Sequence, residues 1–457
     1  MIIKKVDLKI EFNKIFNFIK DYPYPFFLDS GKNYDKFGKF SFIGFDPSAV
    51  FKAKDEHIEI MEGNSLHELK NSNSLDVFQD FFDKYSRNHK SPFPFSGGFV
   101  GFLSYDLCHK IEKVPYTAKD DKNIPDIYFA LYDGIFVYDH TKEECYIIAH
   151  GITKPAEDII KKLNTIIKQA NKKTATAGST EEKITNKITS NFSKKEYIKS
   201  IVKVKRYIKN GDIYQANLTQ RFETKYTREP WSLYQRLRNI NSAPFSSFID
   251  CGDFQIISSS PERFIRVCNR KIQTRPIKGT ISRGINKKED KLNQKLLLSS
   301  EKDKSELIMI VDVARNDLGR ISKIGTVNVE TLFSLEEYPT VYHLVATING
   351  ELREDVKFAD IIKATFPGAS ITGAPKIRAM EIIDEIEPTR RNIYTGSIGY
   401  LDLNGNMDLN IVIRTIILKD GKAFFQVGGG IVWDSDEESE YEETILKGKA
   451  LQKAIEG

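Results

Sequence analysis

The chain has 457 residues, 40% of them hydrophobic and 29% charged, and its 68 basic and 63 acidic side chains leave a formal net charge of +5. That length permits one large core or two interlocked ones. The mixed and nearly balanced charge excludes a disordered or fibrous chain and argues against a nucleic-acid or membrane-binding surface.

The first residues, MIIKKVDLKIEFNK, alternate apolar with charged side chains where a signal peptide would run apolar. No stretch reaches the ~18 apolar residues of a membrane span. The four cysteines, Cys108, Cys145, Cys251 and Cys268, form no C-x-x-C pair and have no histidine at zinc-site spacing, so they read as free thiols. A cytoplasmic protein is expected.

Short strand-like runs come next, FSFIGFD, PDIYFALYDGIFVYD and ECYIIAHG, with a helical pattern in SLDVFQDFFDKY. Residues 168–193, KQANKKTATAGSTEEKITNKITSNFS, hold few large apolar side chains and read as a flexible linker. They separate a strand-rich N-terminal region, 1–167, from residues 194–457. Toward the C-terminus, YTGSIGYLDL, Asn404-Gly405, MDLNIVIRTIIL, Asp420-Gly421 and KAFFQV alternate β-rich runs with hairpin dipeptides. This antiparallel meander predicts an α+β fold rather than repeated βαβ units.

The chemistry-bearing residues lie in the second half. Lys278, in TRPIKGTISRG, sits between Pro276-Ile277 and Gly279. It reads either as a solvated lysine at a strand end or as a nucleophile. An amine with an ordinary pKa of about 10.4 attacks only where burial or nearby positive charge, from Arg275 or a metal, lowers that value. Glu306 borders the apolar helical face of Leu307, Ile310, Val311, Ala314 and Leu318, and alone it suits the surface as well as a ligand role.

In the C-terminal run DEESEYEETILKGKALQKAIEG, helical spacing puts Glu440 and Glu443 on the side of Leu446, Ala450 and Leu451. Two carboxylates facing inward would suit a hard cation, and an acidic first turn facing solvent is the alternative. Gly428, Gly429 and Gly430 follow a strand, lack P-loop spacing, and read as a tight turn or as backbone N–H groups for a carboxylate. Arg414, alternating with apolar residues in the neighbouring run, would be the matching cation.

Taken together, GDIYQANLTQRF, SSSPERF, PIKGT, ELIMIVDVARNDLGR, YHLVATINGEL, FPGASITGAPKIRAMEIIDEIEP, IYTGSIGYL, VIRTIIL, VGGGIVWDS and SEYEET resemble, in order and spacing, the chorismate-utilising enzymes. The likeness is strong from about residue 190 onward and weak over 20 to 150. It implies large antiparallel sheets packed as a β-sandwich with outer helices, and makes 194–457 the chorismate-binding region. It further implies Mg²⁺ held by Glu306 and Glu443 with Glu440 beside them. Substrate would meet Gly279, Thr280, Tyr394, Arg414 and the amides of Gly428 to Gly430, with His343 near the reacting ring.

Within the family the chain is most similar to the aminodeoxychorismate synthase branch. Anthranilate synthases carry Pro-Ile-Ala-Gly-Thr where this chain has Pro-Ile-Lys-Gly-Thr. The mechanism implied has Lys278 add to C2 of chorismate while Glu262, in SPERF, protonates the departing C4 hydroxyl. Ammonia then enters at C4 and expels the lysine. Gln215 stands where water-adding relatives have a lysine, and an amide cannot serve as that base.

None of the cysteines has the context of a glutaminase nucleophile, so the resemblance implies a separate glutamine amidotransferase subunit. With the chain ending at Gly457, the step to p-aminobenzoate, on the folate route, is expected of another protein. The resemblance also implies a tryptophan pocket built from Ser30, Lys39, Phe40, Ser41, Phe42, Pro244, Phe245 and Ser246. Anthranilate synthase component I, or a non-catalytic chorismate- or tryptophan-binding subunit, are the alternative readings.

Overall fold

The computed structural model describes residues 1–31, 38–172, 187–338 and 341–457. Two twelve-stranded sheets face each other, and each is assembled from both ends of the chain. Phe26–Asp29 pairs with Phe245–Asp250 in one sheet, and Gly98–Leu103 pairs with Ser397–Asp402 in the other, both antiparallel. The chain is thus an α+β sandwich with helices on its outer faces.

Ile127–Tyr132 shows why the layers form. Every residue in it is buried, but side chains alternate between faces. Tyr128, Ala130 and Tyr132 join Phe26, Phe42, Ile256 and Phe424 between the sheets. Ile127, Phe129 and Leu131 face outward to Phe78 and Phe358 on covering helices. The other sheet is covered by a cluster in which Ile160, Leu163 and Ile166 are buried with Trp231 and Leu451.

Three expectations change. The C-terminal meander does not stay in one sheet: Met407–Asn410 pairs with Ser397–Asp402, whereas Thr415–Lys419 pairs with Lys422–Ile431 in the opposite sheet. The chain crosses between sheets at residues 411–414, where Arg414 takes a φ of 53°. Both hairpin dipeptides do turn the chain, with Gly405 at φ 87° and Gly421 at φ 70°.

The three glycines are not a turn but part of the strand Lys422–Ile431, where Gly428, Gly429 and Gly430 oppose Thr219, Leu218 and Asn217. The ends of the stretch expected as a linker are structured: the helix Ala156–Lys172 occupies its start and Thr189–Ser190 pairs with Glu223 and Phe222 near its end. Residues 173–186 lie outside the described residues. All four cysteines are free. Among the described residues no helix is long and apolar enough to cross a membrane.

Candidate active site

Lys278 lies on the strand Ile277–Ser282, antiparallel to Val341–Glu351. The register shifts between Lys278 and Thr280, and the extra residue is Gly279 at φ 76°. A side chain there would be strained, and its Cβ would come within 3.0 Å of Asp303 and Leu297. The bulge redirects the side chains on either side of it.

Lys278 Nζ lies 3.4 Å from Glu306 Oε2, which also accepts from Gln215 Nε2 at 2.9 Å. Glu306 is presented by the helix Glu301–Gly319, whose Leu307, Ile310, Val311 and Leu318 are buried as the spacing predicts. Arg275 pairs with Glu336 and Thr347.

The glycine strand forms a floor beside these groups. A Cβ at Gly430 would meet Gln215 Nε2 at 2.5 Å and Lys278 Nζ at 3.1 Å. One at Gly429 would meet Glu440 Oε2 at 3.2 Å and Glu443 Oε1 at 3.9 Å. Only glycine leaves these approaches open.

Glu440 and Glu443 stand on the C-terminal helix Glu437–Glu456, capped by Asp436. The inward stripe runs through Glu440, Thr444, Gly448 and Leu451, so Glu443 is half-exposed and Leu446 is exposed, contrary to the predicted face. Gly448 lies against the Phe425 ring within this stripe, where an added Cβ would come to 3.3 Å from it. Burial, with Glu443 adding repulsion, raises the Glu440 pKa; Ser435 donates to it at 2.6 Å. For Glu443, burial pulls upward but Lys447, at 2.6 Å, prevails and lowers the pKa.

The expected metal set is therefore not drawn together: Glu306 engages Lys278 and Gln215, Glu440 engages Ser435, and Glu443 engages Lys447. Among the described residues no three acidic, histidine or cysteine side chains are grouped to hold a metal ion. The donor chemistry, carboxylate oxygens beside a glycine floor, nevertheless fits a hard cation such as Mg²⁺.

Glu262 is buried at the end of the turn between two strands, and burial lifts its pKa to about 7 against the opposing effects of Ser370, the Ile277 N–H and Lys278. His343 is buried as well. Its Nδ1 lies 2.8 Å from Thr280 Oγ1 and its Nε2 has no partner among the described residues. Burial first, and Arg414 second, push its pKa down to about 3, so the ring is neutral at working pH.

Arg414 has Asn241 Oδ1 at 3.4 Å as its side-chain partner, and no carboxylate pairs with it among the described residues. Burial lowers its pKa from the guanidinium range. Such a cation suits a planar carboxylate. Tyr394 is buried beside the Glu387–Arg391 pair and makes no hydrogen bond to Lys278, Glu262 or His343 among the described residues.

A second group gathers elsewhere. Ser30, Lys39, Phe40, Phe42, Pro244, Phe245 and Ser246 line one cavity of about 970 Å³. Ser41 is buried behind it, 2.7 Å from the His140 ring, and receives the Ser30 N–H at 3.2 Å. Ser370 and Asn241 are contacts that sequence reasoning missed. Ser370 lies inside FPGASITGAPK, a stretch whose spacing marks it without assigning it a partner.

Glu262 feels the charge of Lys278, Lys278 faces Glu306 beside Gly430, and Arg414 has no carboxylate partner among the described residues, a set of groups whose chemistry suits an anionic small molecule. The chorismate binding enzyme family matches residues 24–453, and the chain belongs to that family. It is 40% identical over 94% of its length, and 90% of the relative's, to anthranilate synthase component 1 of Acetivibrio thermocellus. It is 39% identical to aminodeoxychorismate synthase component 1 of Bacillus subtilis, covering 92% of this chain and 90% of that protein.

Among solved structures, anthranilate synthase component I of Streptococcus pneumoniae superposes with a TM-score of 0.81 at 33% identity, covering 91% of this chain and 92% of that one. The menaquinone-specific isochorismate synthase of Escherichia coli shares the fold, with a TM-score of 0.74 at 16% identity over 99% of this chain and 94% of that one.

Proposed function

We propose that the chain is the chorismate-aminating component of an aminodeoxychorismate synthase, converting chorismate and ammonia to 4-amino-4-deoxychorismate. The observation that carries this reading is Lys278 Nζ, which stands beside the open face of Gly430 with the Glu306 carboxylate 3.4 Å away to receive the proton that it must lose before it attacks. An alanine there could not act as a nucleophile.

In this reading the deprotonated Lys278 amine forms a bond to C2 of chorismate, both ring double bonds shift one position toward C4, and the C4 hydroxyl leaves as water with a proton from Glu262. Ammonia then bonds to C4 while the C2–N bond to Lys278 breaks, restoring the amine. Arg414 and the Gly428 to Gly430 backbone hold substrate carboxylate, Thr280 and Gly279 border the ring, and neutral His343 lies over it. Glu306, Glu443 and Glu440 would hold Mg²⁺, which would polarise the ring carboxylate. Ammonia would come from a separate glutaminase subunit; the component naming of the relatives implies a partner component.

The alternative is anthranilate synthase component I, favoured by the near-equal similarity to relatives of that name. The deciding experiment incubates the chain with chorismate, Mg²⁺ and ammonium and identifies the product by mass and fluorescence. Aminodeoxychorismate supports the proposal, anthranilate transfers the chain to the alternative, and binding without turnover leaves a regulatory subunit.

A further inference from the structure

The two carboxyl oxygens of Glu262 are not equivalent. Oε1 accepts from Ser370 Oγ at 2.6 Å and from the Ile277 N–H at 3.4 Å. Among the described residues no donor reaches Oε2. A protonated carboxyl that accepts hydrogen bonds on one oxygen keeps its proton on the other.

Ser370 is held firmly. It lies on the short turn Ala369–Ile371, where Arg391, buried and paired with Glu387, donates to the Ile371 carbonyl at 2.9 Å. Thr372 Oγ1 closes the turn onto the Gly368 carbonyl at 3.0 Å.

We propose that Ser370 is a positioning residue for the site's acid: by donating to Oε1 it reserves Oε2 as the oxygen that carries the proton to the leaving hydroxyl. The proposal rests on the reading of Glu262 as general acid. When the proton departs, the Ser370 hydrogen bond becomes charge-assisted and stabilises the carboxylate left behind. Ser370 thus makes Glu262 a stronger acid than burial alone would.

The other charges around Glu262 are Lys278 on the neighbouring strand, Arg263 next in sequence and paired with Asp408, and Asp317 with Lys376 across a cavity of about 30 Å³. None of them donates to Oε1, so removing Ser370 isolates its contribution.

The test compares Ser370→Ala, Ser370→Thr and Ser370→Cys in the full chain with chorismate, Mg²⁺ and ammonium. Loss of the hydroxyl favours the protonated form, so the alkaline limb of the pH–rate profile moves to higher pH in Ser370→Ala while kcat at the optimum falls roughly tenfold. Threonine restores both, and cysteine, a weak donor, gives an intermediate displacement and serves if alanine does not fold.

Infrared pH-difference spectra, with the Glu262 band identified by its loss in Glu262→Gln, report the same upward titration without reference to turnover. An unmoved limb together with an unmoved infrared titration, or a threonine variant that behaves like alanine, overturns the proposal. Full ammonium-dependent activity in Glu262→Gln overturns the acid assignment itself and with it the delivery role, an outcome the infrared titration keeps distinct from failure of the hydrogen bond.

Discussion

At the residue scale the site depends on which atoms are left free. Lys278→Ala is expected to abolish aminodeoxychorismate formation while leaving chorismate binding measurable by calorimetry. Gly430→Ala would place a methyl group on Gln215 and Lys278, and a displacement of that size is expected to lower kcat by roughly a hundredfold with little change in melting temperature. Away from the site, Asp106 is fully buried, and burial, with Asp126 adding repulsion, raises its pKa to about 7. A raised folded pKa gives stability that is present below the ordinary carboxyl range and lost as pH climbs through about 7. Asp106→Asn should therefore melt higher than the wild type at pH 8 and about equally at pH 4, by calorimetry at both values. Lys278 draws attention in the sequence by its place between Pro276-Ile277 and Gly279, with two readings open, and Glu262 only through the resemblance carried by SPERF. Ser370 and Asn241 are not legible there, because their partners lie 108 and 173 positions away.

At the element scale, periodicity locates the helices and strands, but neighbours set their orientation. The spacing of the C-terminal helix reveals that it is a helix, yet not which face turns inward, where Gly448 lies against Phe425. A glycine inside a helix gives no hint of the ring it touches. In Gly448→Ala a helix-propensity gain of about 0.5–1 kcal/mol offsets the 3.3 Å approach of the new methyl to the Phe425 ring, so the melting temperature is expected to change little, whereas Gly448→Leu should lower it by several degrees and displace Glu440. The glycine triplet resembles a turn for a related reason: glycine weakens a strand signal, but pairing with Thr219, Leu218 and Asn217 holds these residues extended. The change of sheet at residues 411–414 leaves the hydrophobic run unbroken, so only the structure reveals it.

At the scale of the whole molecule, the α+β class and the sandwich are legible from hairpin dipeptides and from resemblance, while the strand order is not. In each sheet the strands of the N-terminal part form one block that meets the later strands along a single seam, Phe26–Asp29 on Phe245–Asp250 and Gly98–Leu103 on Ser397–Asp402, so a fragment ending at Lys172 is expected to lack near-ultraviolet circular dichroism, and a folded fragment would show that its half-sheets close without the later strands. The same seam bears on synthesis. Gly98–Leu103 emerges about 300 residues before its partner Ser397–Asp402. At about 5–20 residues per second, that strand waits roughly 15 to 60 s on the ribosome with an apolar edge unpaired. The nascent chain is therefore a client for whatever cellular machinery shields exposed strands during translation.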